Sequence, residues 1–274
     1  MTRLLAVALS AVLALSHPVF AEGKGDDIAA LLRALDISGT VDVMQEEGLV
    51  YGDDIAGEML PEVDADNWAQ TVRRIYDRDN MQRLIEEEMA QALNNIDVTP
   101  LLSFYQSDAG QLVVQMELDA RRAFMSSETE DAAAVRLENA MREGAPVVSM
   151  VETIISDSDL IEMNVAGALN SNLMFYRGLA EGGAWEMSED DMLRDVWAQE
   201  EATRKDTQDW LMSFLVMAYT PMNEDALDTY AALFRTDEGR ALNRALFQSF
   251  NRMYDELSYL LGRAVAVQLT SAPL

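Results

Sequence analysis

The sequence has no cysteine, one histidine and only two lysines, Lys24 and Lys205, among its 274 residues. The absence of cysteine excludes disulfides, thiolate nucleophiles, iron–sulfur clusters and thiolate zinc sites. The single histidine is His17, so imidazole bases and histidine-ligated metals have little to be built from. The composition therefore favours a protein that is not an enzyme, and it predicts no catalytic residue, no cofactor and no metal site.

Basic residues are also scarce. The chain carries 20 Lys and Arg against 48 Asp and Glu, which gives a formal net charge of -28. A nucleic-acid binder needs a basic surface, so that class of function is excluded. The acidic excess leaves open a divalent-cation-binding protein, although no acidic stretch continues into the twelve-residue calcium-loop pattern.

Long apolar runs are missing as well. The longest lies at residues 4–15 and is short of the roughly 20 residues that span a bilayer. It follows the basic residue Arg3 and precedes Val19 and Ala21, which are small residues at the two positions that a signal peptidase reads. We therefore expect residues 1–21 to be a signal peptide cleaved after Ala21, and a periplasmic product with no transmembrane span.

Few residues interrupt helices, since the chain has only 6 prolines and 14 glycines. Apolar residues recur at spacings of three and four, as in Leu84, Ile85, Met89 and Leu93, and no segment alternates like a strand. This spacing is typical of amphipathic helices. The sequence predicts an all-α bundle of about ten helices with no sheet.

Parts of the sequence occur twice. Trp68 and the two residues after it return at Trp197, and the segment 104–110 (FYQSDAG) returns at 233–239 (LFRTDEG), both at a shift of 129 residues. The period is far longer than that of solenoid repeats. We therefore expect two tandem-duplicated helical units, residues 22–146 and 147–274, packed together.

The repeated motif predicts a helical corner. The hydroxyl would cap the next helix, the following carboxylate would lie in its first turn, and the glycine would let two backbones approach closely. An alternative is that the two aspartates meet near a pseudo-two-fold axis and bind a cation. The two tryptophans are expected to anchor the cores, or alternatively to line a ligand groove. The residues concerned are Trp68, Ser107, Asp108, Gly110, Trp197, Thr236, Asp237 and Gly239.

The stretch 160–179 is the most unusual of the predicted helices. It contains three asparagines in an apolar context, although asparagine is a poor helix former. One interpretation is a seat for a polar ligand or a partner. The other is a tight helix crossing at Gly167, with the asparagines satisfying buried backbone groups. The candidate binding residues are Asn164, Asn170, Asn172, Met174 and Arg177.

The segments 48–52, 68–70, 104–110 and 164–178 resemble the bacterial domain-of-unknown-function family numbered 2059, and most closely its double-length alphaproteobacterial form. The resemblance covers essentially the whole chain after the signal peptide. It implies an all-helical, exported protein of a Gram-negative envelope. It implies no activity, because the family has no assigned catalytic residues. Leu233 and Thr236 depart mildly from the pattern of the first copy.

These observations lead to one main expectation and two alternatives. The main one is a non-enzymatic protein of the cell envelope that binds an unidentified envelope protein or an apolar or peptide-like ligand. The first alternative is a carboxylate-dependent hydrolase of cell-wall glycan, which requires a cleft where apolar walls raise the pKa of a carboxyl group. The second is a divalent-cation-binding protein.

Overall fold

The computed structural model describes residues 19–271, with side chains from Lys24 onward, and these residues form thirteen α-helices and no β-strand. The all-helical class is confirmed. The count is above ten because short helices such as α5 and α10 have too few turns to give a clear periodic pattern. The helices are α1 (Val19–Ala34), α2 (Ile37–Met59), α3 (Ala65–Ile75), α4 (Arg78–Ala92), α5 (Thr99–Tyr105), α6 (Asp108–Ala123), α7 (Ser127–Glu143), α8 (Pro146–Asp157), α9 (Leu160–Glu181), α10 (Glu189–Ala198), α11 (Glu200–Tyr219), α12 (Glu224–Leu233) and α13 (Asp237–Ser271).

The expected signal peptide lies almost entirely outside the described residues. Only its last three positions, 19–21, are included, and they form the start of α1. Cleavage after Ala21 would therefore shorten α1 by three residues. None of the described helices combines the length and the apolar character that a membrane crossing requires.

Two sets of six helices follow each other in the same order. We call α1–α6 the first segment and α8–α13 the second segment, with α7 between them. Within the segments, α1 packs on α5 as α8 packs on α12, and α2 packs on α3 as α9 packs on α10. Between the segments, α4 packs on α13 and α11 packs on α6. The contacts between the segments are thus reciprocal, and the duplication of the sequence stays a prediction.

The corners before α2 and α9 share an uncommon backbone conformation. Asp36 and Asp159 precede these helices with φ of 47° and 51°, and no other non-glycine residue described has a positive φ. Aspartate tolerates this left-handed conformation because its short side chain bonds locally. At the first corner, the Gly39 amide donates to Asp36 Oδ1 at 3.0 Å.

The corners before α6 and α13 carry the repeated motif. The Gly110 amide donates to Ser107 Oγ at 3.1 Å, and the Gly239 amide donates to Thr236 Oγ1 at 2.9 Å. A Cβ on either glycine would overlap the preceding helix's last turn, at the carbonyl of Phe104 or Leu233. Both corners therefore have the same hydroxyl cap and the same close backbone approach.

The aspartates of this motif lie in the first turns of their helices. Asp108 is exposed in the first turn of α6. Asp237 is exposed in the first turn of α13 and accepts a hydrogen bond from Arg240 Nη2 at 2.6 Å. Within residues 19–271, no three acidic side chains are grouped closely enough to hold a metal ion.

The two tryptophans of the repeat have different environments. Trp68 is 1% exposed, and its indole N–H donates to the Gly52 carbonyl at 2.8 Å. Trp197 departs from the expected core position, because it is 65% exposed near the end of α10. The buried face of α10 is set by Met192 and Val196, and the next residue points about 100° away from that face.

One hydrophobic core extends through both segments. Its fully buried members include Leu31 and Ile85 from the first segment and Val151 and Leu261 from the second. A smaller cluster lies between α9 and α10 and contains Val165, Leu169, Leu173, Met192 and Val196. The two segments therefore share a core and do not fold around two separate ones.

Candidate functional site

The five candidate residues on α9 do not form one site. Asn164 donates to the Leu160 carbonyl of its own helix at 2.8 Å, and it also lines a cavity. Asn172 donates to Gln199 Oε1 at 3.4 Å. The two asparagines differ by eight residues, and they meet different neighbours.

The other three candidates share a face of α9 that meets α13 and α10. Asn170 donates to Asp255 Oδ2 at 3.2 Å. Arg177 forms an ion pair with Glu189 and donates to Met174 Sδ at 3.4 Å. The predicted seat is therefore divided among separate environments, because its members were chosen along the chain and not around the helix.

The α9–α13 crossing is tight, as the second interpretation of this helix expects. A Cβ on Gly167 would overlap the Asn251 side chain, and a Cβ on Gly178 would overlap the Tyr259 carbonyl. The glycines of α9 therefore serve helix packing.

The largest cavity described lies where α6, α9, α11, α12 and α13 meet, and its volume is about 630 Å³. Small-molecule sites usually fall between about 300 and 1,000 Å³. Only two of its lining residues are exposed, Ala168 on α9 and Trp210 on α11, and these form its rim. Nine of the chain's 20 aromatic residues (4 Trp, 8 Tyr and 8 Phe) line it. They are Tyr105, Trp210, Phe214, Tyr219, Tyr230, Phe234, Phe247, Phe250 and Tyr254.

Equivalent positions of the two segments face each other across this cavity. The shift of 129 residues that relates the repeated motifs also relates five pairs of lining residues. These pairs are Tyr105 and Phe234, Val114 and Asn243, Glu117 and Leu246, Leu118 and Phe247, and Arg121 and Phe250. The cavity is thus built from the same faces of α6 and α13.

Glu117 is the only carboxylate that lines the cavity. The hydroxyls of Tyr219 and Tyr230 both donate to its Oε1, the latter at 2.9 Å. Tyr230 is held by ring contacts with Tyr219 at 5.9 Å and Phe234 at 5.0 Å between centroids. The carboxyl group is therefore fixed in orientation by two rigid donors.

Burial raises the pKa of Glu117 above its ordinary value, and the hydrogen bonds from Tyr219 and Tyr230 offset part of the rise. Burial also raises the pKa of both tyrosines, and the charge of Glu117 raises them further. The tyrosines consequently stay protonated and remain donors.

Arg121 lies one turn after Glu117 on α6 and also lines the cavity. Its Nε and Nη2 donate to the two carboxylate oxygens of Glu47, each at 2.8 Å. Nη2 also donates to Tyr254 Oη at 3.2 Å. The positive charge of Arg121 is therefore already paired with Glu47 of α2.

The sequence contained one unused signal for this site. Glu117 and Arg121 follow Val113 and Val114 at spacings of three and four and thus lie on the apolar stripe of α6. Charged residues on such a stripe need buried partners. The tyrosines that supply them lie more than 100 residues away, so spacing alone gave no indication of them.

Two comparisons with known proteins found no relative, since no curated protein and no solved structure matches the chain. A third found a family model described as "Uncharacterized protein conserved in bacteria (DUF2059)", which matches residues 79–138. The matched stretch covers α4, α5 and α6 and includes Tyr105, Glu117 and Arg121. Over residues 79–138 the resemblance to this family is confirmed, and this part of the chain is a DUF2059 segment.

Proposed function

We propose that this protein is an exported, non-enzymatic binding protein of the bacterial envelope that takes an apolar small molecule into the cavity between its two segments. The observation that carries the proposal is the concentration of nine aromatic residues around one cavity of about 630 Å³. A well-packed core leaves few voids larger than a water molecule. A cavity of this size with an accessible rim is therefore better explained by a ligand than by folding.

Export is proposed from the sequence. The basic start, the apolar run at residues 4–15 and the small residues Val19 and Ala21 support a cleaved signal peptide. The family description, which refers to bacteria, is compatible with a periplasmic protein. The absence of cysteine fits this compartment too, since such a chain cannot form disulfides there.

We also propose that the two segments arose by duplication of one helical unit. The support is the same order of six helices in each segment and the shift of 129 residues between facing cavity positions. On this account the cavity formed at the pseudo-symmetric contact between the two copies.

The hydrolase alternative has one observation in its favour, because apolar surroundings raise the pKa of Glu117. Glycoside hydrolases, however, work with a pair of carboxylates on either side of the bond. Glu117 has no second carboxylate beside it in the lining, and the walls are aromatic. This alternative predicts release of sugar from purified cell wall, lost in Glu117→Gln.

The cation alternative has less support. The described residues hold no acidic group suited to a metal ion. A calcium titration that raises the melting temperature of the protein would revive this alternative.

The proposal is tested by closing the rim. Ala168→Trp places a large side chain at the opening, and we expect it to weaken binding of the neutral dye phenylnaphthylamine by about tenfold or more. The measurement is a fluorescence titration of the protein with the dye.

The matched control is Ala166→Trp. Ala166 is exposed on the same helix but does not line the cavity, so this variant should bind the dye as the unmodified protein does. Equal weakening in both variants, or no dye binding at all by the unmodified protein, would contradict the proposal.

A further inference from the structure

The two oxygens of the Glu117 carboxyl group differ. Both tyrosine hydroxyls donate to Oε1, and no side chain among the described residues donates to Oε2. Oε2 is also not among the buried polar atoms that lack a partner, so it has access to the cavity. The tyrosines therefore fix the carboxyl group and leave one oxygen for a ligand.

The charges around the cavity do not balance. Arg121 is the only other charged residue in the lining, and it is neutralised by Glu47. Glu117 receives only uncharged donors. An ionised carboxylate without a counter-ion is costly in an apolar site, and a cation at Oε2 would remove that cost.

The walls around this carboxylate also suit a cation. Tyr105, Tyr219 and Tyr230 are close enough to Glu117 for their pKa values to be affected by its charge. Ammonium groups are attracted to the faces of such rings. A carboxylate among aromatic rings is thus a suitable environment for a protonated amine.

The opposite wall is apolar. The counterparts of Glu117 and Arg121 on α13 are Leu246 and Phe250. Hydrogen-bonding capacity on that wall is limited to amide side chains such as Asn243 and Asn251. A ligand with a charged head at α6 and an apolar body along α13 would match both walls.

We infer that the ligand is an amphiphile whose protonated amine binds Glu117 Oε2 and whose apolar body lies along the α13 wall. This inference rests on the proposed function, because it names the chemical class of the molecule that the cavity takes.

The inference predicts a pH dependence. The groups that face Glu117 are Tyr105 on α5, Tyr219 on α11 and Tyr230 on α12, with Arg121 on its own helix paired to Glu47 on α2. The tyrosines stay neutral and Arg121 stays charged, so Glu117 is the group that titrates below neutrality. Its protonation removes the partner of the ammonium, so amine affinity rises as the pH rises through the pKa of Glu117.

The experiment compares dodecylamine, dodecanol and dodecanoic acid, which share one chain and differ in the head group. Each is titrated calorimetrically into the full-length mature protein. We expect dodecylamine to bind about tenfold to a hundredfold more tightly than dodecanol, the range for a hydrogen bond to a charged group. Glu117→Gln keeps an acceptor for the tyrosines and should bind dodecylamine and dodecanol equally.

Asp119→Asn is the matched control. It removes the same charge from the solvent side of the same helix and should keep the full preference for the amine. Circular dichroism of each variant establishes that it is folded.

Three results would overturn the inference. Equal affinity for amine and alcohol in the unmodified protein would remove the head-group contact but leave the cavity as an apolar site. A preference for dodecanoic acid would do the same and would point to Arg121. No binding of any of the three compounds would overturn the proposed function together with the inference.

Discussion

The two facing walls of the cavity have the same origin in the fold and a different chemistry. On α6 the wall carries Glu117 and Arg121, and at the equivalent positions of α13 it carries Leu246 and Phe250. The corners that begin the two helices are nearly identical, with a hydroxyl cap and a glycine in each. The comparison shows that the scaffold is common to both segments and that the polar chemistry belongs to the first.

A second difference lies in how the segments use their glycines. A Cβ on Gly48 of α2 would overlap the ring of Tyr76, and a Cβ on its counterpart Gly178 of α9 would overlap the backbone of α13. The cause is helix length, since α13 has 35 residues and α6 has 16. The extra turns of α13 lie along α9, whereas the first segment has no such extension.

The largest effect should separate the two tryptophans of the repeat. Trp68→Ala removes a buried ring and leaves the Gly52 carbonyl without its donor, so we expect a loss of about 3–5 kcal/mol in the free energy of unfolding. Trp197→Ala should change it by about 0.5 kcal/mol or less, because the ring is 65% exposed. Urea denaturation of both variants measures the difference. Similar losses in the two variants would contradict the buried and exposed placements.

A smaller effect should separate the two glycines. Gly178→Ala brings a methyl group against the backbone of α13, and we expect a loss near the upper end of about 1–3 kcal/mol in the free energy of unfolding. Gly48→Ala should cost less, because the Tyr76 side chain can shift.

Gly57→Ala is the control for this pair. Gly57 lies in α2 with no atom near its Cβ position, so alanine should stabilise the protein by about 0.5–1 kcal/mol through helix propensity. Thermal unfolding of the three variants would test this order. If Gly178→Ala proved as harmless as Gly57→Ala, the close α9–α13 crossing would be wrong.

Local features were predictable from the sequence, and the site was not. The caps at Ser107 and Thr236 and the helix now bounded as Leu160–Glu181 follow from short-range rules about capping and periodicity. The cavity depends on helices that are distant in the sequence, as the bonds from Tyr219 and Tyr230 to Glu117 show. Periodicity gives the face of each helix but not which faces meet, so α9 was chosen on its own and Glu117 was missed.

The most direct test of the account is a crystal structure of the protein with dodecylamine. The account predicts the amine nitrogen within about 3.2 Å of Glu117 Oε2, with the alkyl chain along Phe247 and Phe250. A chain bound outside the cavity, or an amine directed to Asn243 and Asn251 on the opposite wall, would contradict it.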